Sequence, residues 1–97
     1  MKLHYTGKNL EITPALKAHA DEKFNHLEAK FKKISNVYVV FTIERNDQIA
    51  EATVHINGLE IHATATSNDM YHSIDSMAEK ITAQLVKHKE KATDHHQ

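Results

Sequence analysis

AEATVHINGLEIHATAT, residues 50–66, reads as two alternating strands around one turn. Asn57-Gly58 stands between them, and a two-residue hairpin loop needs positive φ at both central positions, which Asn-Gly supplies. That loop fixes the register. Ile56 faces Leu59, Val54 faces Ile61, Ala52 faces Ala63 and Ala50 faces Ala65. All eight are apolar and share one face, so the turn and the apolar pattern agree. The opposite face pairs His55 with Glu60 and Thr53 with His62. One greasy face and one wet face describe an antiparallel ladder covered on a single side.

Upstream, Val37 to Arg45 is rich in β-branched and aromatic residues and reads as a third strand. Val37, Val39, Phe41 and Ile43 share its core face, and Asn46, Asp47 and Gln48 make the following turn. Further back, Thr13-Pro14 is a helix start: threonine caps, and proline suits the first helical position. This helix is expected to reach Lys33, burying Leu16, Ala20, Phe24, Leu27 and Phe31, with Ser35 and Asn36 breaking it. Lys2 to Lys8 reads as a short first strand with Leu3 and Tyr5 inward. Downstream, Asp69 to Lys91 has a helical period, with Met70, Ile74, Met77, Ile81 and Leu85 on one face and Ser67, Asn68 and Asp69 as candidate caps.

The order is β-α-β-β-β-α, an α+β fold. The first two strands flank a helix and should run parallel through a right-handed crossover. The last three should be antiparallel. The expectation is a four-stranded mixed sheet with two helices packed on one face, a single domain over residues 1–91, and a flexible polar tail over 92–97. The 97 residues suffice for one small domain. There is no cysteine, hence no disulfide or thiolate chemistry. No signal peptide or membrane span is legible, so a cytoplasmic protein is expected.

Net charge is −1, which alone argues against nucleic acid. Its distribution argues otherwise. Residues 14–33 carry five lysines against three acids, and residues 80–91 carry four lysines against Glu90. Residues 34–68 carry Arg45 against four acids. On the first helix His19, Lys23, His26, Lys30 and Lys33 share a flank. On the second, Lys80, Gln84, Lys87 and Lys91 form a stripe beside the apolar one. Lysine is a point charge suited to following a phosphate backbone. Few aromatics interrupt these flanks, which favours structured RNA over single strands.

Other chemistry finds little support. The nine histidines show no metal-ligand spacing, and no metal or cofactor is expected. Gly7 and Gly58 are the only glycines, so there is no phosphate loop. No serine stands in a nucleophile motif, and an enzyme is not expected. The competing reading is a module that self-associates through its open sheet or edge strand without binding nucleic acid.

Several segments occur together in order. They are Thr6-Gly7, Glu11-Ile12-Thr13 with Leu16, Val37-Tyr38-Val39-Val40, Asn57-Gly58 with Glu60-Ile61-His62-Ala63, Asp69-Met70-Tyr71 with Ile74-Asp75, Gln84-Leu85 and Lys87-His88-Lys89. As a set they resemble the ribosome hibernation-promoting factor family of bacteria, also called the protein Y or ribosome-associated inhibitor family. The resemblance spans nearly the whole chain and implies the same β-α-β-β-β-α fold. It implies binding to the small ribosomal subunit in the channel used by transfer RNA and messenger RNA, and translation inhibition in stationary phase or starvation. Basic residues of both helices contact ribosomal RNA in that family; the corresponding positions are Lys23, Lys30, Lys33, Lys80, Lys87, Lys89 and Lys91. The short form, which this chain resembles, favours inactive ribosome dimers alongside a ribosome modulation factor. The free chain is expected to be a monomer. One departure is Ala83, where relatives often carry a basic residue before the Gln-Leu pair.

Overall fold

The computed structural model describes the backbone of residues 1–94 and the side chains of residues 1–89. Its elements are β1 (Lys2–Lys8), α1 (Pro14–Lys30), β2 (Ile34–Glu44), β3 (Asp47–Ile56), β4 (Leu59–Ser67) and α2 (Met70–Asp94). The sheet order is β1-β2-β3-β4. β1 runs parallel to β2, and the β2–β3 and β3–β4 ladders are antiparallel. This is the expected mixed sheet.

The β3–β4 hairpin has the register the Asn-Gly loop demands, from Ile56 opposite Leu59 to Ala50 opposite Ala65. Asn57 and Gly58 have φ of 48° and 79°. Leu16, Ala20, Phe24 and Leu27 of α1 and Met70, Ile74, Met77, Ile81 and Leu85 of α2 close over Val37, Val39, Phe41, Ala52, Val54 and Ile61 in one core. Small Ala50, Ala52, Ala63 and Ala65 on the sheet let the helices approach. Leu59 belongs to the same face by register but is 46% exposed, since it lies at the hairpin tip.

Four boundaries differ from the sequence reading. Helix α1 ends at Lys30, three residues early: Phe31 turns extended and its N–H donates to Leu27 O at 2.8 Å. The chain must turn there because Ile34, buried, already pairs with Ile56. Ser35 and Asn36 are therefore not a break but part of β2. The register shifts between Ile34 and Asn36, and Ser35 Oγ donates to His55 O at 3.2 Å. The next turn is tighter than expected. Glu44 pairs with Asp47 and Ile43 with Gln48, leaving a two-residue loop with Arg45 at φ 57°. Finally, α2 continues three residues beyond Lys91 to Asp94, and residues 95–97 of the expected tail lie outside the described residues.

Helix α2 is anchored at its start by side chains. Tyr71 N–H donates to Asp69 Oδ1 at 3.1 Å, and Met70 N–H donates to Gln48 Oε1 at 3.0 Å. Buried Ser73 donates to Gln48 O at 2.7 Å and lies 2.6 Å from Ser67 Oγ. The first two contacts serve N–H groups that a helix start would otherwise leave unpaired, and those of Ser73 tie the helix to β3 and β4.

Candidate nucleic-acid interface

Helix α1 begins as its sequence requires, with Thr13 Oγ1 accepting from Leu16 N–H at 3.2 Å. Its acids lie largely on the side of β1. Asp21 accepts from the Tyr5 hydroxyl and from Lys17 Nζ at 3.4 Å, and Glu28 meets the Met1 ammonium at 3.0 Å. Burial, then the hydrogen bond to Asp21, pushes the Tyr5 phenol well above its ordinary range, so it stays a neutral donor.

The opposite flank of α1 faces α2. His19 Nε2 lies 2.7 Å from Asp75 Oδ1, and Lys23 Nζ reaches the same oxygen at 3.3 Å. The Tyr71 ring meets His19 edge-on, 5.1 Å between centroids. Partial burial works to raise the Asp75 pKa, but hydrogen bonds and charge from His19 and Lys23 outweigh it and hold the carboxyl below its usual range. Further along, Leu27 lines one groove with Ala78, Glu79 and Thr82. The residues of both helices advance together, so the helices are parallel and their C-terminal ends point the same way.

The other flank of α2 faces the sheet edge. Lys80 Nζ donates to Thr64 O and Gln84 Nε2 donates to His62 O, both at 2.8 Å. Helix α2 therefore stands between Lys80 and Lys23, and the two lysine flanks do not merge along their length. Both run toward the same end of the molecule. Among the described residues Leu85 is the last core residue of α2; Val86, Lys87, His88 and Lys89 beyond it are exposed. Lys30 and Lys33 are exposed at the end of α1. The side chain of Lys91 lies outside the described residues. Of the seven sequence-derived positions, Lys30, Lys33, Lys87 and Lys89 thus belong to the helix C-terminal end, while Lys23 and Lys80 are held by protein groups. Ala83 is exposed between Lys80 and Lys87. Lys30, in the last turn of α1, also complements the negative end of that helix dipole.

The engagement of Lys23 by Asp75 and of Lys80 by Thr64 was not visible from helix periodicity, which places residues on faces but not opposite partners. The open sheet face is likewise richer than alternation suggested. His4 stacks on Tyr38 with centroids 4.5 Å apart, and Tyr38 meets His55 at 5.4 Å. His55 pairs with Glu60 at 3.5 Å and His62 with Glu51 at 3.4 Å. Among the described residues no group of three His, Cys, Asp or Glu side chains is placed to hold a metal ion. No helix among them is long and apolar enough to cross a membrane.

Comparison with known proteins agrees with this architecture. Residues 3–93 match the family model described as Sigma 54 modulation protein / S30EA ribosomal protein. The chain is 47% identical over 95 residues to the ribosome hibernation promoting factor of Klebsiella oxytoca, covering 98% of this chain and 100% of that protein. The solved structure of a ribosomal subunit interface protein from Coxiella burnetii superposes with a TM-score of 0.88 at 33% identity, covering 93% of this chain and 99% of that one. The N-terminal domain of Thermus thermophilus Protein Y follows with a TM-score of 0.76 at 26% identity, covering 86% and 90%. With the fold, the ordered motifs and full-length relatives in agreement, the chain belongs to the ribosome hibernation-promoting factor family of S30EA ribosomal proteins.

Proposed function

We propose that this protein is a ribosome hibernation factor that binds the small ribosomal subunit and silences it by occupying the channel needed by transfer RNA and messenger RNA. The observation that carries the reading is the parallel packing of α1 and α2, which brings Lys30, Lys33, Lys87 and Lys89 to one end of the molecule. Asp21 and Glu28 are occupied on the far side of α1, so they do little to neutralise that end. Such an end suits the phosphate backbone of folded ribosomal RNA. Lys91 belongs to the same segment by sequence. Lys23 and Lys80 are contacts of a second kind, available to RNA once they exchange Asp75 and the Thr64 carbonyl for phosphate. Binding in stationary phase would favour inactive ribosome dimers, with a ribosome modulation factor as the second component, and would place the protein in the cytoplasm. The action is steric and needs no catalytic group.

The test is co-sedimentation with purified small subunits and whole ribosomes at modest salt. The wild-type chain pellets with small subunits and reduces translation in a reconstituted extract. A Lys30→Ala, Lys33→Ala, Lys87→Ala variant stays in the supernatant while keeping its melting temperature. Undiminished pelleting of that variant overturns the assignment of the contact surface. Failure of the wild type to pellet overturns the function.

A further inference from the structure

The outer edge of β4 has an unusual problem. Among the described residues, strand order leaves β4 paired only with β3. Its segment Ile61–Ser67, IHATATS, contains no Asp, Glu, Lys, Arg or Pro. An uncharged, proline-free strand of about seven residues at a sheet edge is a template for pairing with another strand. Like copies of it would meet without charge repulsion. The other edge, β1, carries Lys2 and Lys8 within its own sequence.

The protection of β4 comes from a different element. The carbonyls of His62 and Thr64 accept from Gln84 Nε2 and Lys80 Nζ, so they point away from β3. In an antiparallel strand the N–H of a residue points the same way as its C=O, so these two residues hold the pairing groups of the free edge. The spacing explains the fit. Residues four apart on a helix rise about 6 Å, and residues two apart on a strand about 6.8 Å, so an i, i+4 pair can address alternate carbonyls. Lys80 and Gln84 are such a pair, and α2 runs opposite to β4, with 80 on 64 and 84 on 62.

We propose that the β4 edge is a strand-pairing surface for a second copy of this chain, held shut by Lys80 and Gln84. The occupant is the β4 edge of that second copy. An antiparallel β4–β4 contact would place two identical uncharged segments in register and extend each sheet into the other. Lys80 thus guards the monomer, a role separate from any contact with RNA. Drawing its ammonium away to phosphate would open half of the seal.

The experiment is sedimentation velocity over a range of concentrations on a Lys80→Met, Gln84→Leu variant, which keeps most of each apolar stem and removes both donors. The wild type is expected to stay at 11.1 kDa, and the variant to rise toward twice that mass with concentration. Adding Thr64→Pro removes an outward N–H and should return the variant to monomer mass. A Lys80→Arg, Gln84→Lys variant, which keeps donors at both places, should also remain monomeric. The proposal is overturned if the donor-less variant stays monomeric while its far-ultraviolet circular dichroism matches the wild type. It is equally overturned if Thr64→Pro leaves the association intact. Should the double variant fail to fold, each single substitution is run instead. Partial association must then appear in at least one of them and vanish with Thr64→Pro, or the proposal falls.

Discussion

Asp75 shows how one residue couples two helices. Its Oδ1 is shared by His19 and Lys23 of α1, and together they hold its carboxyl below the ordinary range. A carboxylate with a depressed folded pKa stabilises the fold above its unfolded value, near pH 4, and that contribution vanishes as pH falls through the folded value. Asp75 is 42% exposed, so solvent screens the pair and the expected contribution is at most about 1 kcal/mol. Asp75→Asn should therefore lower the melting temperature modestly at pH 7. The gap from wild type should narrow as pH falls below about 4 and close below the depressed folded value, where both chains carry a neutral side chain. Thermal melts across that range check it. A gap that stays constant with pH would mean the substitution acts through packing and not through charge. The two glycines act through different causes at the same scale. Gly58 sits at φ 79° with open space around it, so Gly58→Ala should cost about 1 kcal/mol from backbone strain. A Cβ at Gly7 would lie 2.7 Å from Leu10 O and 3.1 Å from Ile12 Cγ1, so Gly7→Ala should cost about 1–3 kcal/mol from crowding. Urea titrations of both variants should show lower midpoints with unchanged slopes, and an unperturbed Gly7→Ala would refute the crowding argument.

At the scale of elements, the hairpin was the most legible part of the chain. Asn57-Gly58 dictates loop length, loop length dictates register, and the apolar alternation of Ala52, Val54, Ile61 and Ala63 confirms it within the sequence itself. Helix faces were legible for the same reason: the spacing of Leu16, Ala20, Phe24 and Leu27 survives packing unchanged. Boundaries set by tertiary pairing were not. Ser35-Asn36 carries a break signal, yet pairing of Ile34 with Ile56 draws both into β2 as an irregularity. Arg45-Asn46 makes a tight loop without a glycine because Glu44 and Asp47 are already paired. The candidate site follows the same division. That both helices carry lysine flanks could be read from spacing. That α2 turns one flank to β4 and the other to α1 depends on where α2 lies across the sheet, which no local pattern encodes. Packing decides further that Lys80 meets a carbonyl and Lys23 a carboxylate.

Over the whole molecule, a net charge of −1 gives no long-range pull toward RNA, so under the proposed function attraction has to arise from the lysine-bearing end. The Debye length is about 8 Å at physiological salt, short enough for that end to act without much opposition from the acids of the sheet. Affinity for ribosomal RNA should then fall linearly with the logarithm of salt, with a slope counting the phosphates neutralised. The structure divides the lysines into two groups that this slope can separate. Lys30, Lys33 and Lys87 are exposed at the helix C-terminal end, and changing each to Ala should reduce the slope by about 1 with little effect on stability. Lys23 first has to leave Asp75 to meet a phosphate. Lys23→Ala should therefore change the slope less, while lowering thermal stability through the α1–α2 contact. Ala83 is exposed between Lys80 and Lys87, so Ala83→Lys should steepen the slope by about 1 if that stretch of α2 lies along the RNA. Filter binding of small subunits by each variant, at four or five salt concentrations, measures all of these. Equal slopes for the Lys23, Lys30 and Lys87 variants would mean that the division seen in the free protein is erased on binding. Slopes identical to wild type throughout would place the RNA contact on another face of the molecule.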